Sequence, residues 1–169
     1  QGAAWNMVMN LNYYNRRGKD LQDIINTIKR LSNTLPDAKA VDEIMGIEGN
    51  IRQAYYAAFD IIIDDFNMGS RTKQPPENEV NALISFGNMM CYTETLRAVH
   101  QTQLNPTISF LHTPGERRFS LCLDISEIFK PIIVDRVIFK VLNKHALSTS
   151  HFDKKLNKCL LNEKGKKIF

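Results

Sequence analysis

Apolar residues recur along most of this chain three or four positions apart, the spacing of one helix face, and seldom alternate with polar ones as a half-buried strand requires. A first helix is expected over residues 3–16, with Trp5, Val8, Met9 and Tyr13 inward and Gly18 ending it. Asp20 stands where an N-cap would open a second helix to about Asn33, striped by Leu21, Ile24, Ile25, Ile28 and Leu31. Leu35-Pro36-Asp37 breaks the pattern, and Asp37 is placed to cap the next helix. A third helix is expected from about Val41 to Ile63 on Ile44, Ile47, Ile51, Tyr55, Ala58 and Ile62. After the polar stretch Asp64 to Asn78, a fourth runs from about Glu79 to Thr102, with Asn81 at its start as a capping or loop-tying residue.

Asn105-Pro106 breaks the chain before a brief apolar alternation, Ile108 to His112, and a basic turn, Thr113 to Arg118. The next helix sets Leu121, Ile125, Ile128, Phe129 and Ile132 on one side and Asp124 and Glu127, three apart, on the other. Pro131 starts or interrupts the helix Ile132 to Leu142, in which Ile133, Val137 and Val141 are expected inward and Asp135, Arg136 and Lys140 outward. Residues 143–169 are polar and lysine-rich. No internal repeat and no strong strand signal is visible, so the pattern predicts one mainly helical domain.

Composition changes this picture little. The 169 residues are 43% hydrophobic, ordinary for a globular protein with a sizeable core. Charge is uneven: residues 1–115 hold 10 basic and 12 acidic groups, net −2, while 116–169 hold 12 and 6, net +6. That bias suits a polyanion, although a solvated lysine-rich surface has the same composition. Cys91, Cys122 and Cys159 form no CxxC pair, sit in apolar patterns, and read as reduced core thiols of an intracellular protein. No apolar run reaches membrane-spanning length, and no signal peptide is visible.

Glu48 is the residue out of place, four positions after Ile44 and three before Ile51, an acid on the apolar face of its helix. A desolvated carboxylate needs a cation beside it, either an Arg or Lys of the chain or a metal ion. Gly46 and Gly49 flank it and would let another backbone or a ligand come close. The chain has no GxxxxGK phosphate loop, no HExxH and no GxSxG. What remains is Glu48, His112, Asp124 and Glu127 near Arg117 and Arg118. Carboxylates with one imidazole suit magnesium or manganese, which can polarise a phosphodiester. His100, near a helix C-terminus, is favourable to the helix dipole and is given no chemical role.

Four stretches carry a more specific signal: MGIEGNIRQAYY, ENEVNALISFGNMMCYTE, LNPTISFLHTPGERRFSLCLDISEIFKP, and HFD followed by CLLNEKGKKIF. In order and rough spacing they resemble the CRISPR-associated spacer integrase, the universal subunit of CRISPR adaptation, over nearly the whole chain. The resemblance implies an all-α helical bundle serving as that family's catalytic domain. Residues 1–169 would be this single domain, a fragment without the family's N-terminal β domain and its last C-terminal helices. Glu48, His112 and Glu127 match the three metal ligands and catalytic residues, Asp124 a supporting acid one turn earlier, and Asn81 a structural motif residue. Arg117, Arg118 and Lys130 match basic positions that would neutralise DNA phosphates.

The implied activity is that of a metal-dependent DNA endonuclease and integrase, with magnesium or manganese as cofactor. A prespacer 3′-hydroxyl would attack a phosphodiester of the CRISPR repeat. Implied partners are prespacer and repeat DNA, a second copy of the chain, and a small partner subunit with a nuclease fold; no membrane is implied, and the location would be the prokaryotic cytoplasm. The β domain is the part associated with dimerisation and with docking that subunit. The rivals are a non-catalytic helical DNA-binding or adaptor domain, a general metal-dependent nuclease without an integration role, and a purely structural bundle.

Overall fold

Helix α1 (Gly2–Asn15) buries Ala4, Met7, Val8 and Leu11, a clean i, i+3, i+4, i+7 stripe. Trp5, Met9 and Tyr13, expected inward with Val8, lie on the exposed side. The helix is apolar on both faces, so periodicity alone left its phase open. These positions come from a computed structural model that describes residues 1–111 and 119–169. Gly18 takes a positive φ in the turn after α1. Asp20 does not cap helix α2 (Gln22–Asn33); Leu21 holds the N-cap position and its N–H donates to Asn15 Oδ1 at 3.1 Å. The expected stripe of α2 holds, with Leu21, Ile25 and Ile28 fully buried.

Leu35–Asp37 forms a 3₁₀ turn rather than a cap, and Ala40 precedes helix α3 (Val41–Ala57). Asp42 and Glu43 in its first turn complement the positive end of the helix. The long helix expected to reach Ile63 is interrupted at Ala58, and a single turn, α4 (Phe59–Ile62), completes it. Helix α5 (Glu79–Val99) is capped by Asn78, whose side chain accepts from the Asn81 N–H at 2.9 Å. Asn81 itself ties the preceding loop. Fully buried, it donates to Ser70 O at 2.9 Å and accepts from the Thr72 N–H at 3.1 Å.

Helix α6 (Ser120–Lys130) runs into Pro131, which has no N–H to continue the ladder. The chain answers with one π turn, Pro131–Asp135, before helix α7 (Arg136–Asn143). That turn shifts the helical phase. Asp135, expected outward, is buried, and Ile133, expected inward, is exposed. The tail holds an antiparallel hairpin, β1 (Phe152–Lys155) with β2 (Lys158–Leu161), and a short helix α8 (Glu163–Ile168). The hairpin sits against the start of α5, with Cys159 N–H donating to Pro76 O at 2.8 Å and Lys154 paired with Glu79 at 2.7 Å. It is the one departure from an otherwise helical bundle among the described residues.

The core centres on Phe59 and Phe139, edge-to-face at 4.6 Å, with Tyr55 and Tyr14 packed around them. Fully burying each such ring contributes about 1.5–3 kcal/mol, so this cluster fixes how α1, α3, α4 and α7 meet. The three cysteines are buried and unbridged. Burial pushes their thiols up, Cys159 to about 11, which leaves them inert as nucleophiles. No helix of the described residues is long and apolar enough to cross a membrane.

A polar seam runs through this core. Asn10 Nδ2 donates to the Tyr55 hydroxyl at 2.9 Å and to Pro131 O at 3.1 Å, and Tyr55 also hydrogen-bonds Asp135. Burial pushes the Asp135 carboxyl up to about 7, against the pull of Arg52 and Tyr55. Between the ordinary carboxylate value and neutrality the unfolded chain has released this proton while the folded chain keeps it. Folding stability therefore declines as pH rises from about 4 to about 7, by up to roughly 4 kcal/mol from this group.

Two outcomes are expected. The Asp135→Asn variant should lose this decline, and urea unfolding of both proteins from pH 5 to 8 checks it. At Gly87 an added Cβ would lie 2.4 Å from Val134 Cγ1 and 3.0 Å from the Phe169 ring. Gly87→Ala should cost about 1–3 kcal/mol in the same unfolding measurement, because α5 and the π turn must separate.

Candidate functional site

Helix α3 presents Glu48 and, one turn later, Arg52, while α6 presents Glu127 and Lys130. The Arg52 Nη2 donates to Glu48 Oε1 at 2.9 Å and also to Glu127 Oε2. Lys130 Nζ donates to the other Glu127 oxygen, Oε1. Two acids 79 positions apart in sequence thus meet at one guanidinium nitrogen. Glu48 is half-buried rather than on the fully buried face; Ile51 and Tyr55, deeper on α3, are the residues wholly inside. The cation that its position demanded is, within the chain, Arg52. Gly46 and Gly49 face open space, with nothing within 4 Å of a Cβ built on either, so no described backbone exploits them.

Charge settles how these groups titrate. Burial alone would raise the Glu127 carboxyl, but Arg52 and Lys130 outweigh it and hold its pKa below the usual carboxylate value. Burial would lower the Arg52 guanidinium, and Glu127, Tyr56 and Glu48 reverse that, leaving it raised. The stabilisation from Glu127 is therefore present above the ordinary carboxylate range and lost as pH falls through its lowered pKa. Cutting either acid from this cluster leaves a cation without one of its partners, and cutting Arg52 leaves two carboxylates facing each other.

Asp124 lies one turn before Glu127 and turns to the loop. Its Oδ2 accepts from the backbone N–H groups of Phe110, at 2.7 Å, and Leu111, at 3.1 Å. Helix α6 thereby anchors the chain at the residue that precedes His112. His112, Arg117 and Arg118 themselves lie outside the described residues. Among the described residues no three His, Cys, Asp or Glu side chains are placed to hold a metal ion. The donor chemistry nevertheless fits one in part. Two hard carboxylate oxygens converge at Arg52, the donor type magnesium and manganese favour.

The cluster opens on a cleft of about 490 Å³. Among the described residues its wall includes Arg52, Arg71, Lys73, Lys130, Tyr92 and one acid, Glu127. Arg71 was not singled out by sequence, and neither were Arg52 and Lys73. Arg71 donates through Nη1 to Asn81 Oδ1 at 2.9 Å and to Thr72 O, and through Nη2 to Ser85 Oγ at 3.0 Å. Burial lowers its pKa, with Tyr56 pulling the other way. The buried Asn81 that ties the loop therefore also aims a guanidinium at the cleft. The i, i+4 spacing of Glu48 and Arg52 was a readable signal; the placement of Arg71 depends on a folded loop and carried none. His100 makes an edge contact with the Phe119 ring at 5.9 Å.

Comparison with known proteins bears on this geometry. The family model described as CRISPR associated protein Cas1 matches residues 1–169. A relative named CRISPR-associated endonuclease Cas1 2, from Thermodesulfovibrio yellowstonii, is 50% identical over 169 residues, 99% of this chain and 51% of its own length. The solved structure of a Cas1 protein from Thermotoga maritima superposes with a TM-score of 0.88 at 39% identity, covering 99% of this chain and 52% of that one. A casposase bound to integration product shares the fold, with a TM-score of 0.81 at 21% identity, over 99% of this chain and 50% of that one. The chain spans about half the length of the relatives it matches. With half its residues identical to such a relative, and matched by the family model from end to end, the chain belongs to the Cas1 family of CRISPR-associated proteins.

Proposed function

We propose that this chain is the catalytic part of a metal-dependent DNA endonuclease and integrase of CRISPR adaptation, with Glu48, His112 and Glu127 as ligands of one magnesium or manganese ion. The observation that carries this is the meeting of Glu48 and Glu127, from separate helices, at the edge of a basic cleft. A divalent ion held there would polarise a phosphodiester and stabilise the charge that develops on it. The oxygen of a prespacer 3′-hydroxyl forms the new bond to phosphorus as the bond to the repeat's own 3′-oxygen breaks, so one diester replaces another and a 3′-hydroxyl is released.

The residues of the chain do the rest. Arg71, Lys73 and Lys130 would neutralise backbone phosphates in the cleft; Arg117 and Arg118, outside the described residues, would add basic charge to DNA binding. Asp124 fixes the approach to His112 by holding Phe110 and Leu111. Binding through phosphates carries no sequence and weakens steeply with salt. The DNA would be prespacer and repeat, and integration would further engage a second copy of the chain and the small partner subunit, through the family's β domain. One observation favours the adaptor reading as well: Arg52 already satisfies both acids without a metal.

Glu48→Gln separates the two readings. In the intact protein, manganese-dependent nicking of branched DNA should fall by roughly 100-fold or more, while DNA binding stays within about twofold. Unchanged nicking would favour the adaptor. Preference for branched over plain duplex DNA distinguishes the integrase from a general nuclease.

A further inference from the structure

We infer that Arg52 is the chain's own stand-in for the divalent cation: its guanidinium holds Glu48 and Glu127 together when no metal is bound, and it releases at least one of them when one arrives. The inference rests on the proposal that these two acids are metal ligands, and it concerns what the chain does before the metal comes.

The geometry is specific. A single nitrogen, Arg52 Nη2, contacts an oxygen of each acid, so the guanidinium occupies the side of both carboxylates that a shared ion would need. Lys130 takes the second oxygen of Glu127. Glu127 therefore has both oxygens engaged by cations already, and a metal ion must displace at least one of them. The three charged side chains of the Arg52 cluster are largely buried, with 19–24% of each exposed, so screening by water is weak. Two unpartnered carboxylates brought this close would repel, and Arg52 removes that repulsion in the metal-free chain. The same positive charge opposes entry of a second cation. Arg52 is thus a positioning residue with two opposed effects: it stabilises the empty site and weakens the affinity of the filled one.

A residue that merely braced the ligands would leave metal affinity unchanged or lower it on removal. A stand-in cation raises it. This difference sets the test. Manganese binding is measured by calorimetry on the wild type, Arg52→Gln, Arg52→Lys and Glu48→Gln, with melting temperatures recorded with and without manganese. Arg52→Gln should bind manganese about tenfold more tightly than the wild type. It should melt lower than the wild type without metal, and show the larger rise when metal is added. Arg52→Lys keeps the charge and the fold but offers one compact ammonium in place of a fork, and should fall between the two. Should Arg52→Gln fail to fold without metal, Arg52→Lys carries the comparison alone. Equal or weaker manganese binding in both Arg52 variants, with Glu48-dependent binding in the wild type, overturns the inference and leaves the metal-site reading standing. No Glu48-dependent manganese binding in the wild type or either Arg52 variant overturns both.

Discussion

Two carboxylates, one on α3 and one on α6, share a single guanidinium, and the rest of the structure is arranged around making that possible. Like charges this close and this buried repel unless a cation lies between them. Arg52 supplies it from the next turn of the same helix as Glu48, and Lys130 supplies a second from the next turn after Glu127. The hydrophobic core sets the separation of the two helices: Tyr55, one turn below Arg52, packs on Phe59, and Phe59 on Phe139 of α7. Because α6 and α7 are joined by the π turn, the ring cluster that orients α7 also orients Glu127. Packing brings the acids together, and charge on the chain itself offsets the cost.

The loops extend the same logic. Asn81, buried at the start of α5, satisfies the backbone of residues 68–72 and turns Arg71 toward the cleft. Asp124 accepts two backbone N–H groups of the segment that leads to His112. Each is a short polar side chain that ties down backbone through hydrogen bonds, and each thereby bears on a neighbour with chemistry. The proposed binding of a polyanion beside a hard cation rests on this basic cleft and the acids at its edge.

Much of this was legible in the residues, and the failures share a cause. The helices stood out because their apolar spacing is strongly periodic, and Glu48 stood out because an acid interrupted that periodicity. The phase of α1 was misjudged because Trp5, Met9 and Tyr13 make its outer face as apolar as its inner one. Asp135 and Ile133 exchanged sides because one π turn at Pro131 shifts the register, which a constant 3.6-residue period cannot foresee. The hairpin escaped notice because its strands, FDKK and KCLL, are only four residues long, too short for an alternation to stand out in sequence. Arg52 was readable from its spacing to Glu48, whereas Arg71 was not, since only the folded loop carries it to Asn81. Of the candidate ligands, Glu48 and Glu127 are brought together; the wider motif pattern, rather than geometry, connects His112 to them.

The central claim is that Glu48 and Glu127 converge to share one small hard ion. The direct measurement is an anomalous difference map from crystals of this protein grown with manganese. The account predicts one strong peak within about 2.0–2.2 Å of an oxygen from each acid, with Arg52 turned away from at least one of them. A map with no peak at these acids, and Arg52 still joined to both, would contradict it.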